Sequence, residues 1–406
     1  MSTDEFETVL RELIRERRKD LQLTQTEVAG KVGRCDHSHI SRIENGVIRS
    51  PSKETIKKII DALGYSENEF YDKVREEVRR RESQANSVAK STTYNKQVHG
   101  FLLEYGDQIQ GLGFAAADGN LVKSVEIFSV ILDDPAPDEN WTSSVRLRLI
   151  KSLLEIMKRS GSDKTQEFFV RINSELGALK QYYNKDDFPM EWAECLNIEA
   201  LSFIARGSRI GGSDGQKDMR NAIVRIQSSL EKRHPDFNEP GWGHSMYAYA
   251  LATFEHGVLL EENGFDQLGK AIQAFRESMQ AFSSSGRPFE HARSLDGLAS
   301  ALAVQGSISE GDAAKYLLNE ACHFFELARN LRMVNPIEHA ETEAHFGRAL
   351  LELSRFDPEN AKDHLNRARR MLGRALTVFD KDHCPYQHVI VWQHKETAES
   401  KFGGLS

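Results

Sequence analysis

A short run of hydroxyl, imidazole and guanidinium side chains carries the most evident chemistry in this sequence. The run comprises His37, Ser38, His39, Ser41 and Arg42. Hydroxyl and imidazole groups both donate and accept hydrogen bonds. A guanidinium forms paired hydrogen bonds with a phosphate or with the edge of a guanine base. These residue types favour polar recognition of a nucleic acid over catalysis.

The residues before this run predict two short helices joined by a tight turn. Thr24 followed by Glu27 forms a capping box that begins the first helix, because the hydroxyl and the carboxylate each bind a free backbone N–H. Gly33 permits the turn, and Asp36 is a favourable N-cap for the second helix. The polar run therefore lies at the start of the second helix.

The second helix is expected to expose its polar side chains because its apolar ones point inward. Ile40 and Ile43 lie on the inner face, and Asn45 with Gly46 ends the helix. In small DNA-binding domains, a helix with an exposed polar leading end enters the major groove while the preceding helix crosses the backbone. The pattern predicts a DNA-reading pair of helices.

Residues 5 to 75 resemble the Xre/Cro/C1-type helix-turn-helix domain. The resemblance rests on Leu23-Thr24-Gln25, on Ile40 to Gly46 and on Ile59 to Gly64. It implies that the second and third helices contact DNA; the alternative is a helical bundle kept only for dimerisation or docking. By matching position, the implied DNA-contacting residues are Gln25, Thr26, His37, Ser38, His39, Ser41, Arg42, Asn45 and Arg49.

The charge distribution limits where DNA can bind. The formal net charge is −8, yet residues 1–81 hold 17 Lys and Arg against 16 Asp and Glu, and the remainder holds 36 against 45. Because an acidic surface repels the phosphate backbone, DNA contacts are expected only in the first domain.

Cysteine usage and hydropathy indicate a cytoplasmic location. The four cysteines, Cys35, Cys195, Cys322 and Cys384, are far apart, which favours reduced thiols. No apolar run has the length of a membrane span, and residues 1–20 are too charged for a signal peptide.

The remainder of the chain contains an internal repeat. Pro240, Pro288, Pro336 and Pro385, each followed closely by a histidine, recur at intervals of 48, 48 and 49 residues. An Ala-rich helix is predicted after each proline, and a second helix rich in Ala and Phe after the first three. The pattern resembles tetratricopeptide repeats with long helices. Together with the first domain, this pattern predicts an all-α fold. It comprises a five-helix helix-turn-helix domain (1–75), a linker or helical extension (76–97) and a right-handed α-solenoid of helix pairs (98–406).

The repeat also argues against a catalytic or metal site. His244, His291, His339 and His388 hold equivalent positions, so their expected role is helix starting or packing between repeats. The segment Gly207 to Gly215 is interpreted as a flexible loop between helices, because it lacks the Lys-Ser/Thr ending of a phosphate-binding loop. We expect no cofactor, no metal and no enzymatic activity.

The order of the domains resembles that of peptide-sensing regulators of Gram-positive bacteria and the arbitrium receptors of their phages. The resemblance implies a homodimer, a palindromic operator, repression rather than activation, and a peptide or protein signal bound along a long groove on the concave face. Two alternatives are a repeat scaffold that recruits a partner, with the first domain used for docking, and direct control of an enzyme by the repeats. The candidate groove residues are Tyr249, Arg293, Asp296, Glu341 and His345.

Overall fold

The computed structural model describes residues 3–33, 37–45, 53–66, 68–74, 76–77, 96–115, 119–133, 138–235 and 239–404, and the regular structure within these ranges is helical. Packing divides the chain into two units. The first comprises residues 1–103 with 134–137, and the second comprises residues 104–133 and 138–406. The expected domain boundaries at 75 and 97 stay predictions, because residues 78–95 lie outside the described ranges.

The first unit is built from short helices around an aliphatic core. Its helices are α1 (Thr3–Asp20), α2 (Gln25–Val32), α3 (His37–Glu44) and α4 (Lys53–Ala62), and residues 68–74 are also helical. The predicted inward positions are confirmed: Ile40, Ile43, Ile59 and Ile60 are fully buried. Val32, at the end of α2, is only half-buried.

The start of α2 has the predicted capping box. The Thr24 hydroxyl accepts a hydrogen bond from the Glu27 N–H at 3.2 Å, and the Glu27 carboxylate accepts one from the Thr24 N–H at 2.7 Å. Gly33 ends α2 with a φ of +67°, a left-handed conformation that glycine adopts without strain. The expected cap Asp36 lies outside the described residues.

The second unit is a succession of helix pairs in a repeated, solenoid-like packing, which confirms the all-α fold. None of its described helices, nor any of those in the first unit, is long and apolar enough to span a membrane. Helix α5, which contains the boundary between the units, and the helices after it are α5 (Lys96–Ala115), α6 (Asn120–Asp133), α7 (Glu139–Arg159), α8 (Ser162–Tyr182), α9 (Pro189–Ile210), α10 (Gly212–Leu230), α11 (Glu239–Leu259), α12 (Phe265–Ser284), α13 (Pro288–Ser307), α14 (Gly311–Leu331), α15 (Pro336–Phe356), α16 (Ala361–Val378) and α17 (Pro385–Gly403).

Proline and histidine mark the start of each repeat. Pro288, Pro336 and Pro385 occupy the first turn of α13, α15 and α17, where a missing N–H costs no hydrogen bond. The Nδ1 atom of His291 lies 3.0 Å from the Met279 carbonyl, and that of His388 lies 2.7 Å from the Phe379 carbonyl. Since a carbonyl only accepts, each imidazole donates to the preceding helix. These histidines therefore serve packing between repeats.

Small residues at the helix crossings let bulky ones fill the space between helices. Ala250, Ala271 and Ala299 are fully buried beside Phe275 and Phe325 in one continuous core. Close backbone approach at alanine, with aromatic rings filling the remaining gaps, keeps the interior densely packed. The first helix of each repeat begins at or next to its proline rather than after it, because the proline turn belongs to the helix.

The expectation of a flexible loop from Gly207 to Gly215 is wrong. Residues 207–210 complete α9, residues 212–215 begin α10, and only Gly211, at φ +66°, lies between the two helices. A Cβ atom on Gly215 would lie 2.5 Å from the Gly207 carbonyl oxygen. The glycines are therefore required by a tight corner where two helix backbones touch.

Candidate functional site

Helix α3 exposes polar side chains on the surface opposite its buried isoleucines. Arg42 and Asn45 are exposed, and Ser41 is half-buried. The amide nitrogen of Asn45 donates to the Ser41 hydroxyl at 3.2 Å. Helical periodicity places these groups away from Ile40 and Ile43, so the described part of α3 offers a cation, an amide and a hydroxyl to a partner.

A buried carboxylate fixes α3 against the two preceding helices. Both oxygens of Glu44 accept hydrogen bonds from the Arg18 guanidinium, at 2.6 and 2.9 Å, and the Gln25 amide donates to one of them at 2.7 Å. Burial alone would raise the pKa of Glu44, but the hydrogen bonds from Arg18 and Gln25 outweigh it and hold the pKa below its ordinary value. This cluster sets the relative orientation of α1, α2 and α3.

A separate cavity of about 490 Å³ lies inside the second unit. Its wall includes Tyr247 on α11, Asp296 on α13, His345 on α15 and His394 on α17, which follow one another at intervals of 49 residues. Each repeat therefore contributes its first helix to the wall. Apolar lining comes from Leu201, Ile204, Leu251, Phe254, Phe275, Ile390 and Val391.

The last helix closes one side of this cavity. The Gln387 amide on α17 donates to the Lys158 carbonyl at 3.0 Å, although 229 residues separate them. The Arg209 guanidinium stacks on the Tyr386 ring at 4.1 Å and donates to the same Lys158 carbonyl. These contacts turn the concave face, where a long groove was expected, into a recessed cavity; the surface that binds a signal stays a prediction.

Three ionisable groups border the cavity with no ion pair. Among the described residues, no hydrogen-bond or ion-pair partner is found for the side chains of Glu255, Glu341 or Arg348. Burial raises the pKa of both carboxyl groups and lowers that of Arg348. All three lie deep in the molecule yet keep partial exposure because they face the cavity.

Asp296 anchors a second polar group on the wall. One of its oxygens lies 3.0 Å from His345 Nδ1 and 3.6 Å from the Arg332 guanidinium. Burial would raise the pKa of Asp296, but His345 and Arg332 lower it to about 2. Its other oxygen, Oδ1, and the Ser300 hydroxyl have no hydrogen-bond partner among the described residues. Both residues are buried: Asp296 is 6% exposed and Ser300 is 5% exposed.

Comparison with known proteins identifies the first unit. Residues 14–70 match the helix-turn-helix family model HTH_3. This segment is a helix-turn-helix domain. The match indicates a DNA-binding regulator and agrees with the arrangement of α2, α3 and α4.

Two further comparisons concern the chain as a whole. No curated protein matches the sequence. One similar solved structure is described as a circular tandem repeat protein with novel repeat topology and enhanced subunit contact surfaces; the similarity covers 98% of this chain and 97% of that one, with 11% identity and a TM-score of 0.31. At that TM-score the similarity carries no conclusion about function.

Only part of the predicted reading surface falls on described side chains of the helix-turn-helix domain. Thr26, Arg42 and Asn45 are exposed, whereas Gln25 is half-buried and uses its amide nitrogen to bind Glu44. The side chains of His37, Ser38 and His39, and the whole of Arg49, lie outside the described residues. The DNA contacts of all these residues stay predictions.

Three of the five predicted groove residues border the cavity. Asp296, Glu341 and His345 lie on its wall. Tyr249 does not, because it packs between two hydrophobic clusters. Arg293 does not either, since its Nε atom donates to the Glu338 carboxylate at 3.0 Å. Contact of any of the five residues with a ligand stays a prediction.

Several residues of these two regions were not predicted from the sequence. Tyr247 and Glu255 on α11, and Arg348 on α15, line the cavity, and Glu44 organises the reading helices. The helical spacing of Glu341, His345 and Arg348 could have indicated from the sequence that Arg348 lies on the same helix face as the other two. The pairing of Glu44 with Arg18 was not, because their spacing of 26 residues follows no local rule.

Proposed function

We propose that this protein is a sequence-specific transcriptional repressor that binds a palindromic operator as a homodimer and responds to a peptide or protein signal in its repeat unit. The observation that carries the proposal is the helix-turn-helix domain, whose α3 is held by Glu44 while Arg42 remains exposed. An exposed guanidinium on the second helix of such a pair suits paired contacts to guanine or phosphate.

Dimerisation is supported by an apolar patch at the end of α14. Leu327 and Leu331 are 41% and 42% exposed, and Met333 and Val334 are 69% and 71% exposed. Exposed apolar side chains grouped in this way mark surfaces that bind other proteins. We assign the patch to the dimer interface, since one reader covers only a half-site and strong specific binding needs two.

Signal response is supported by the cavity in the repeats. A cavity of about 490 Å³ falls within the size range of ligand sites, which is roughly 300–1,000 Å³. A ligand that changes the packing of successive first helices also changes the preferred spacing of the two readers. A coupling free energy of roughly 1–3 kcal/mol is enough for such regulation.

The test is selection of binding sites from a random pool of double-stranded DNA by the full chain at one fixed salt concentration. We expect a palindrome to be enriched. Arg42→Ala is expected to weaken binding to it by roughly 1–3 kcal/mol, whereas Arg220→Ala, which removes an exposed arginine from α10, leaves binding unchanged.

Enrichment of no sequence, or equal loss in the two variants, would contradict DNA reading by α3. In that case the same apolar patch would favour the second candidate function, a scaffold that recruits a partner through its repeats. The scaffold predicts that deleting residues 1–75 leaves the set of captured partners unchanged.

A further inference from the structure

Charge is distributed unevenly along the cavity in the repeats. At one end, Arg209 and Arg348 face Glu255, and we call this group the arginine end. At the other, Glu341 and Asp296 face Arg332, and we call this group the acidic end. The carboxyl group of Glu255 senses Arg348 and Arg209, whereas that of Glu341 senses Arg332 and Asp296. One end therefore has an excess of positive charge and the other an excess of negative charge.

At the arginine end, the single carboxylate of Glu255 faces the two guanidinium groups of Arg209 and Arg348. Arg348 makes no ion pair with a described residue, and Arg209 uses its guanidinium on the carbonyl groups of Lys158 and Ala205. Burial lowers the pKa of both arginines. A carboxylate from a ligand would accept hydrogen bonds from Arg348 and would restore the interaction that the guanidinium lost when it left water.

At the acidic end, several hydrogen-bond acceptors remain without a donor although Arg332 lies nearby. The Glu341 carboxylate, Asp296 Oδ1 and the Ser300 hydroxyl have no hydrogen-bond partner among the described residues. An ammonium group carries three N–H donors and no acceptor. It therefore matches a wall that offers acceptors.

The distance between the two ends limits the length of the ligand. Glu341 and Arg348 lie seven residues apart on α15, which corresponds to about 10 Å along a helix. An extended peptide covers about 3.3–3.6 Å per residue, so three residues place an ammonium group at one end and a carboxylate at the other. The apolar wall formed by Leu251, Phe254 and Ile390 lies on the same cavity and suits the side chains between.

We propose that the cavity binds a peptide of three or four residues with free ends, its ammonium group at Glu341 and Asp296 and its carboxylate at Arg348. The proposal names the ligand of the repeat unit and rests on the proposed function for the meaning of that ligand as a signal. The expected ligand is therefore a short peptide beside α17, rather than a long peptide that extends along a groove.

The experiment measures binding of pooled synthetic tripeptides and tetrapeptides to the full chain by native mass spectrometry. Three pools are compared: free ends, acetylated amino ends and amidated carboxyl ends. We expect the unmodified protein to retain peptides from the free pool about tenfold or more above either blocked pool, because each block removes one charged contact. This comparison needs no variant and so does not depend on any variant folding.

Two variants assign the ends of the peptide. Glu341→Gln is expected to abolish the preference for a free amino end while keeping the preference for a free carboxyl end, and Arg348→Gln to do the reverse. Matched controls are Glu359→Gln and Arg370→Gln, which change exposed residues and should keep both preferences. Thermal unfolding of every variant is recorded alongside.

Retention of no peptide by the unmodified protein, equal retention of the free and blocked pools, or full preferences in folded Glu341→Gln and Arg348→Gln would overturn the proposal. Selection of DNA without added peptide separates it from the proposed function. Peptide binding without an enriched DNA sequence would support the peptide proposal and contradict the proposed regulator function. An enriched palindrome without peptide binding would contradict only the peptide proposal.

Discussion

At the residue scale, two groups of carboxylates have opposite effects on stability. Glu44 is buried with three hydrogen bonds from Arg18 and Gln25, so its charge is compensated. Glu255 and Glu341 are recessed without a partner among the described residues, so their charges are not compensated. The first arrangement stabilises the proposed reading surface, and the second leaves unpaired carboxylates around the proposed ligand cavity at a cost in stability.

Removing Glu44 should destabilise the first unit. Glu44→Ala leaves Arg18 without its carboxylate, and we expect the free energy of unfolding to fall by about 3 kcal/mol, as for a broken buried pair. Glu54→Ala removes an exposed pair with Lys58 and should change it by less than about 0.5 kcal/mol. Urea denaturation followed by circular dichroism measures both. Equal effects would show that the Glu44 cluster does not hold α3.

The lowered pKa of Glu44 also predicts a pH dependence. Its contribution to stability is fully present above the pKa of an unfolded glutamate, about 4.3, and is lost as the pH falls through the lower folded value. The difference between the unmodified protein and Glu44→Ala should therefore be constant near neutral pH and shrink in acid. A difference that grows in acid would contradict this assignment.

Neutralising the unpaired cavity carboxylates should stabilise the unliganded protein. Both folded pKa values are raised, so the cost of ionisation appears above the unfolded pKa and is complete above the folded one. Glu255→Gln and Glu341→Gln are each expected to add about 1 kcal/mol at alkaline pH and less in mild acid. Chemical denaturation at two pH values checks this, with Glu359→Gln as a neutral control. A gain independent of pH would indicate a packing effect instead.

At the element scale, the corner between α9 and α10 depends on backbone contact. Gly211 provides the left-handed turn, and Gly207 and Gly215 bring the two helices to within contact of each other. This corner places Arg209 at the end of α9, where it stacks on Tyr386 of the closing helix. The turn between α9 and α10 thus helps to position Arg209 on the wall of the cavity.

A methyl group at this corner should separate the two helices. Gly215→Ala puts a Cβ atom against the Gly207 carbonyl, and we expect a loss of about 1–3 kcal/mol from overpacking. Gly269→Ala has no atom within 4 Å of its new Cβ and should stabilise α12 by about 0.5–1 kcal/mol. Thermal unfolding of the two variants gives opposite shifts. A stabilised Gly215→Ala would mean that the corner yields without cost.

At the scale of the whole molecule, the proposed dimer has acidic repeats, so we expect its DNA binding to come from two local readers. The chain as a whole carries a formal charge of −8, so its repeats add no general attraction to phosphate. Two half-sites about 34–36 Å apart, or a multiple of this distance, are therefore expected on one face of the DNA.

Disrupting the apolar patch should prevent dimerisation without changing the affinity of one helix-turn-helix domain for a half-site. Met333→Glu combined with Val334→Glu is expected to give monomers in sedimentation equilibrium and to weaken binding to a two-half-site operator. Affinity for one half-site should remain unchanged, because the reader is intact. Val224→Glu changes a residue that is also exposed, at 53%, and serves as the control. A double variant that stays dimeric would place the dimer interface elsewhere.

The helices, their pairing and the helix-turn-helix domain could be predicted from the sequence. Capping at Thr24, the buried isoleucines of α3 and the proline at the start of each repeat are local features, so spacing along the chain was sufficient to find them. For the same reason the sequence placed Asp296, Glu341 and His345 on the face that lines the cavity.

Only the tertiary structure decided which distant groups meet. The pairing of Arg18 with Glu44, the contact of Gln387 with Lys158 and the lack of a partner for Arg348 depend on how successive helices rotate against each other. That rotation is the sum of small packing choices at alanine and glycine crossings, and it accumulates along the repeats. A long groove was therefore expected from the local pattern, whereas the accumulated rotation brings α17 against the Lys158 carbonyl and leaves a recessed cavity.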